Sequence, residues 1–287
     1  MNILLFAHAG LGDQLIMNAY VHYLLNNVPD LETICIVAKR FQERTLKHLY
    51  SDYNKITYYW INAESESSHM NYDSDPFLLS IHQAPFSSSI LHNNKIYHLH
   101  NFGCHSNRAF NIFITNWADA FYLQVNLNPQ IRKIFHLPSD MSRSSRLLSN
   151  VKQFLENKEY IIIHDDPSRN LNINYKKLYS ILESNNTLSC PVLYLGKGRY
   201  DFPLFENLKN EGSNELLKVE SLIDFTDILK NAKECHLINS SISILADYTT
   251  SGNNNIYIHL YVTSDGTDSV KGQHIHFSDN IRYIDTL

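Results

Sequence analysis

The 287 residues are 44% apolar and 18% charged, which is enough to bury a core and argues against global disorder. A formal charge of −5 argues against a nucleic-acid binder that relies on bulk electrostatics, while leaving room for a local basic pocket. The length suits one large domain or two of roughly 140 residues each.

Asn2 to Ala7 is a short apolar run ahead of Gly10 and reads as a buried strand. No basic segment precedes it, so it does not read as a secretion signal. Leu11, Leu15, Ile16, Ala19, Tyr20, Tyr23 and Leu24 then recur at helical spacing, predicting one amphipathic helix to about Asn26-Asn27. Thr33–Ala38 reads as a strand, Phe41–Tyr50 as a helix and Ile56–Trp60 as a strand. This alternation is the pattern of a parallel sheet with crossover helices. Ala63 to Asn94 is polar and reads as loops, with a short helix near Asp75–Ile81. Lys95–His100 follows as a strand and Asn111–Leu123 as a helix carrying Trp117.

Leu137-Pro138-Ser139 punctuates the chain, and the expected boundary divides it into domains 1–140 and 141–287. Beyond it, Arg143–Glu156 reads as a helix, Tyr160–Ile163 as a strand, Tyr175–Glu183 as a helix and Pro191–Leu195 as a strand. Phe202–Lys209 (helix), Leu216–Val219 (strand), Asp224–Ala232 (helix, with Asp224 or Thr226 as N-cap) and Cys235–Ile238 (strand) continue the rhythm. Ser240–Tyr248 reads as a helix, Ile256–Val262 as a strand and Arg282–Ile284 as an edge strand. The fold class is α/β: two Rossmann-like domains with mostly parallel sheets. Ligands of such sheets bind at the carboxyl ends of the strands, so chemistry is expected in an interdomain cleft.

Four scattered cysteines without a CxxC read as reduced thiols and point to the cytoplasm. No stretch approaches the ~18 apolar residues of a membrane span. The sequons at Asn185 and Asn239 read as chance matches in an Asn-rich chain.

Several short segments carry candidate chemistry. In His8-Ala9-Gly10-Leu11-Gly12-Asp13 a strand turns into a helix. Gly10 and Gly12 allow close backbone approach to a ligand, and the helix start offers N–H groups to an anion. Asp13 is either a cap of that helix or a general base, and His8 is the competing base. Leu15 stands where a dinucleotide fingerprint needs its third glycine. In His164-Asp165-Asp166-Pro167-Ser168-Arg169, Arg169 can fork onto a phosphate or pair with Asp165 or Asp166. Gly196-Lys197-Gly198-Arg199 is a basic loop after a strand, without P-loop spacing; Lys197 is a phosphate contact or a solvated lysine. Ser240 and Ser241 open a helix, as caps, as an anion site, or as both. His98/His100 with Cys104 and His105, and His274/His276, have chelating spacing but no second ligand set, so no metal site is expected.

Together these segments resemble the GT-B glycosyltransferases, in the manner of the fucosyltransferase-like and heptosyltransferase-like families. "HAGLGDQLIMN" is similar to their Gly-x-Gly-Asp/Asn-x-Leu opening, and "IDFTDILKNAKECHLINSSISILAD" to their donor-site segment. "IIIHDDPSR" is a looser match to a post-strand His-x-Arg motif, with the basic residue delayed to Arg169. The resemblance implies two facing domains and an inverting, metal-independent transfer from a nucleotide sugar to a glycan or other hydroxyl acceptor. No cofactor is implied beyond that co-substrate. Asp13, or His8, would take the acceptor proton. Gly10, Gly12, His164, Arg169, Gly196, Lys197, Ser240 and Ser241 would contact the donor. A Rossmann-type oxidoreductase and a non-catalytic α/β protein are the alternatives.

Overall fold

Strand β1, Asn2–Ala7, is buried at every position from Ile3 onward, as expected of a strand covered on both faces. The computed structural model describes residues 1–7, 10–63, 75–84, 88–102, 117–165, 173–195, 219–250, 255–260 and 281–284. By contact density the chain divides into two units, Met1–Ser139 and Asp140–Leu287.

In the first unit, β1 is followed by α1 (Leu11–Ile16), α2 (Asn18–Asn27), β2 (Thr33–Lys39), α3 (Glu43–Leu49) and β3 (Ile56–Ile61). Then come α4 (Pro76–Gln83), β4 (Ser89–His92), β5 (Lys95–Phe102) and α5 (Trp117–Gln124). The sheet order is β3-β2-β1-β5-β4. β1 runs parallel to both β2 and β5, β2 runs parallel to β3, and β4 alone is antiparallel. One face, built from Leu4, Phe6, Cys35, Val37, Tyr97 and Leu99, packs under Leu78 and Ile81 of α4. Asp75 caps that helix, accepting from the N–H groups of Phe77 (3.0 Å) and Leu78 (3.2 Å). On the other face Tyr20 of α2 stacks on Phe102 at 5.0 Å, and Phe121 and Tyr122 of α5 meet the same ring edge-on.

Two expectations change here. The single helix from Leu11 to Asn27 is interrupted at Met17, although the dihedrals there stay helical (φ −70°, ψ −16°). Asn18, just after the break, turns its amide away from the helix onto the backbone of His136. Strand β4 lies in a segment read as loop. Asn93 and Asn94 adopt φ of 47° and 60°, the left-handed pair that closes a two-residue hairpin between His92 and Lys95. Residues 111–116 of the helix expected at Asn111–Leu123 lie outside the described residues.

The unit's last residues are fastened down. Asn18 brackets His136, donating to its carbonyl (3.2 Å) and accepting from its N–H (2.8 Å). Asp52 accepts from both the N–H and the hydroxyl of Ser139, each at 2.7 Å. The His136 ring stacks on His22 at 3.7 Å. Burial, with His136 alongside, pushes the His22 imidazole down to about 4.

The second unit comprises α6 (Ser142–Phe154), β6 (Ile161–His164), α7 (Tyr175–Ser184) and β7 (Val192–Tyr194). It continues with α8 (Thr226–Asn231), β8 (Glu234–Ile238), α9 (Ser241–Thr249), β9 (Asn255–His259) and β10 (Ile281–Ile284). The sheet order is β10-β9-β8-β6-β7, with every described pair parallel. Among the described strands this is the 2-1-3-4-5 order of a doubly wound sheet, with its topological switch between β6 and β8. Leu178 and Leu182 of α7 pack on Ile161, Ile163, Val192 and Ile238. Each such aliphatic side chain contributes about 1.5–3 kcal/mol by leaving water. On the other face Tyr160 donates to the carbonyl of Ile228 in α8 (2.8 Å).

The helix expected at Asp224–Ala232 starts differently. Ser221 is the cap, accepting from Ile223 N–H (3.2 Å), while Asp224 accepts from Ser221 N–H (3.1 Å). This capping box opens a 3-10 turn at Leu222–Phe225, and α8 follows it. Neither Asp224 nor Thr226 is the N-cap: Asp224 is the acidic half of the box, and the Thr226 hydroxyl donates to Ile223 O (2.7 Å). The helix expected at 202–209 and residues 216–218 lie outside the described residues.

Candidate functional site

The switch point of the second unit places two expected residues together. His164 ends β6, in register with Leu237 of β8. Two residues after β8, Ser240 turns its hydroxyl to His164, with Oγ 3.5 Å from Nδ1. That hydroxyl caps nothing. The capping is done in reverse by Ser243, whose Oγ accepts from Ser240 N–H (3.0 Å) and donates to Ser240 O (2.7 Å). Ser240 holds the N-cap position as expected, and Ser243 at the third helical position completes the box by bonding the Ser240 backbone. Ser241 is the first residue of the nine-residue α9, whose starting N–H groups and dipole favour negative charge.

Asp165, the next residue after β6, is 4% exposed. Tyr175 at the start of α7 donates to its Oδ2 (2.5 Å), and Tyr194 at the end of β7 donates to its Oδ1. Burial and the adjacent carboxylate hold the Tyr175 hydroxyl well above its usual range. Arg169, the ion-pair partner expected for Asp165 or Asp166, lies outside the described residues; the two described donors to Asp165 are phenols. It ties the end of β6 to both neighbouring elements.

In the first unit Asp13 lies at the third position of α1, and its Oδ2 accepts from Gly10 N–H (3.2 Å). The capping role is thus realised, and the carboxylate stands at the carboxyl end of β1, beside that sheet's own switch between β1 and β5. Gly10 has φ −76° and ψ 147°, open to any residue, so its backbone dihedrals do not call for a glycine. Gly12 is the second residue of α1. His8, Arg169, Gly196 and Lys197 lie outside the described residues, as do Cys104, His105, His274 and His276. His100 Nδ1 is engaged by the Tyr20 hydroxyl at 2.8 Å. Among the described residues no group of three or more His, Cys, Asp or Glu is placed to hold a metal ion.

A polar column not anticipated from the sequence runs along the α7 face of the second sheet. Glu234, His236 and His259 are 1%, 0% and 1% exposed. The Glu234 carboxylate accepts from Asn185 Nδ2 at 3.0 Å and from His236 Nε2 at 3.1 Å. His236 Nδ1 lies 3.2 Å from His259 Nε2. His236 stacks flat on Tyr257 at 4.6 Å, and Arg282 of β10 donates to the Tyr257 hydroxyl (3.0 Å). Burial, and His236 beside it, push His259 down to about 3. Its Nδ1 is buried without a hydrogen-bond partner. The legible signal was Glu-x-His in a strand, two polar residues on one face of an apolar run.

No protein-family profile matches the chain, and no curated protein sequence matches it. Solved structures do. The glycosyl transferase family 9 structure from Veillonella parvula DSM 2008 aligns with a TM-score of 0.53 at 10% identity, covering 99% of this chain and 86% of that one. The likeness shows the fold: a mixed α/β chain of the GT-B kind with two mostly parallel sheets. E. coli ADP-heptose lps heptosyltransferase II aligns at 0.48 and 12% identity, over 99% of this chain and 90% of that one. E. coli heptosyltransferase WaaC with ADP aligns at 0.48 and 12%, over 99% and 91%. No described helix is long and apolar enough to cross a membrane.

Proposed function

We propose that the chain is a glycosyltransferase that moves a sugar from a nucleotide-sugar donor to an acceptor hydroxyl. The observation that carries this reading is the meeting of His164 and Ser240 at the switch point of the second unit, beside the start of α9. The fold likeness to a family 9 glycosyltransferase supports it. In this reading the second unit takes the donor and the first the acceptor. The acceptor oxygen bonds to the anomeric carbon as the bond to the diphosphate breaks, inverting the centre. The departing diphosphate gains stabilisation from the α9 N–H groups, Ser240, Ser241 and His164, with Arg169, Gly196 and Lys197 as further contacts. Fixed dipoles and cations take the place of a divalent ion, so turnover is expected in chelator. Asp13 takes the acceptor proton, or His8 does, and Gly10 and Gly12 leave room beside it. Buried free thiols at Cys35, Cys190 and Cys235 fit a reducing compartment, and the reading places the protein in the cytoplasm.

The test combines binding with turnover. Thermal shift with ADP, GDP, UDP and NAD(H) is expected to give stabilisation by one of the nucleoside diphosphates; stabilisation by NAD(H) alone would favour a dehydrogenase. Sugar-nucleotide hydrolysis and transfer are then followed in EDTA. Asp13→Asn keeps an acceptor for Gly10 N–H, so it is expected to fold and bind nucleotide while losing transfer roughly 10²–10⁴-fold. Full turnover by that variant would remove Asp13 as the base.

A further inference from the structure

Strand β4 closes one edge of the first sheet, and its outer side is open. Leu99 N–H donates to Ser88 O at 2.7 Å, so Ser88 and Leu99 are a bonded pair of the β4–β5 ladder. Bonded and non-bonded pairs alternate along an antiparallel ladder. Ile90–Tyr97 and His92–Lys95 are therefore bonded pairs, whereas Ser89–His98 and Leu91–Ile96 are not. The N–H and C=O groups of Ser89 and Leu91 thus point away from β5, and no described strand lies there to meet them. The usual safeguards of a sheet edge are missing as well. Ser89–His92 holds no Lys, Asp, Glu or Pro, and no bulge interrupts its register. One face of the strand is held in place. Ile90 packs against the core under α4, and the His92 ring stacks on Phe77 of α4 at 3.9 Å. On the opposite face Leu91 and Ile96 stand side by side, 69% and 62% exposed, the two most exposed large apolar side chains among the described residues.

We infer that β4 is a self-association edge: two copies of the chain pair their β4 strands antiparallel about a twofold axis at Ile90, joining their first sheets into one. The hydrogen-bond geometry favours a second copy as the occupant. With Ile90 facing its counterpart, Ser89 of each copy falls opposite Leu91 of the other. The outward groups of those two residues then bond in both directions, once on each side of the axis. The strand carries no charge, so it meets itself without repulsion. Lys95, at the hairpin turn, comes to opposite ends of the ribbon in the two copies. Strand rise and spacing put the two ammonium groups on the order of 20 Å apart, beyond the screening length. The two Leu91 side chains become diagonal neighbours roughly 7–8 Å apart, and with Ile96 of each copy they form one apolar patch. Four residues a side stay below the roughly 1,200 Å² that stable complexes bury, so the dimer belongs to the weak, reversible class. The inference is independent of the sugar-transfer reading.

Sedimentation equilibrium of the wild-type chain is expected to show the average mass rising from one chain at roughly 5 μM toward two at roughly 500 μM, the range of so small a contact. Amide hydrogen exchange at the two concentrations locates the contact. The Ser89 and Leu91 amides are expected to slow roughly threefold or more at the higher one, while the Ile90 amide, bonded within the ladder in either state, does not change. Two variants then break the edge. Leu91→Lys sets like charges across the axis, and Ser89→Pro removes an outward donor that the β4–β5 ladder does not use. Both positions are exposed, so melting temperatures are expected to stay within about 2 °C of wild type while the chain remains monomeric throughout the range. The wild-type exchange comparison decides the matter even where a variant fails to fold. A wild-type chain that is monomeric at every concentration overturns the proposal. So does a dimer in which Ser89 and Leu91 exchange as in the monomer, because another surface then joins the copies, and so does a dimer that survives both substitutions.

Discussion

Ser240 Oγ stands 3.5 Å from His164 Nδ1, so the two central strands of the second sheet are joined at their ends by side chains that do no capping. The neighbouring Ser243 does the capping. The two serines should therefore separate in mutagenesis. Ser240→Ala is expected to stay within about 0.5 kcal/mol of wild type in urea unfolding while weakening nucleotide binding several-fold. Ser243→Ala should lose about 0.5–2 kcal/mol of stability. Equal stability losses for the two would contradict this division of labour.

Asp165 draws one hydrogen bond from Tyr175 and one from Tyr194. Tyr175→Phe and Tyr194→Phe each strip a donor from a buried carboxylate and should each cost about 1–3 kcal/mol in chemical denaturation. The double substitution should differ from the sum of the singles, because both hydroxyls serve one group.

Acid should unfold both units through their buried imidazoles. His22 in the first unit and His259 in the second are held down at about 4 and about 3, by burial first in each case. Unfolded, each returns to roughly 6.5. As pH drops below that value the unfolded chain binds protons that the folded chain refuses, so stability falls. Melting temperature is expected to be level from pH 8 to 7 and to fall steadily from about pH 6.5 toward 4. His259→Leu should flatten the second unit's share of that slope. A melting temperature that rises on acidification would refute the assignment.

Asn18→Ala should free the end of the first unit. It removes both bonds to the His136 backbone, leaving the stacked His22 ring and the Asp52–Ser139 pair. Hydrogen exchange at the His136 amide is expected to speed up at least tenfold, with little change in β1.

The framework was legible because it rests on local signals. The apolar runs at Asn2–Ala7 and Ile161–Ile163 and the helical spacing of Tyr175–Ser184 each announce their element without help from the rest of the chain. β4 was not legible. It has only four residues, half of them exposed, and Asn93-Asn94 closes the turn without the glycine that usually marks it. Within the site, Asp13 and Ser240 stood out because each sits at the start of a helix that comes after an apolar strand. Their partners did not. Nothing local says that the Ser240 hydroxyl meets His164, or that two phenols hold Asp165. The Glu234–His236–His259 column needs β8 and β9 in one register, and only the folded sheet supplies it.

The contrast between the sheets bears on how the chain assembles. β4 and β5 form a tight hairpin whose partners are separated by two residues, so that pairing can zip early and locally. The second sheet has no described antiparallel pair, and each of its contacts closes a loop of tens of residues before any strand gains a neighbour. The first sheet shares this demand, since β1 and β5 meet only after the chain from Asn2 to Tyr97 has closed, so the hairpin is the one described pairing in either sheet that needs no long loop. The Ile-rich strands of the second sheet, each waiting for a distant partner, are therefore exposed to aggregation until those loops close.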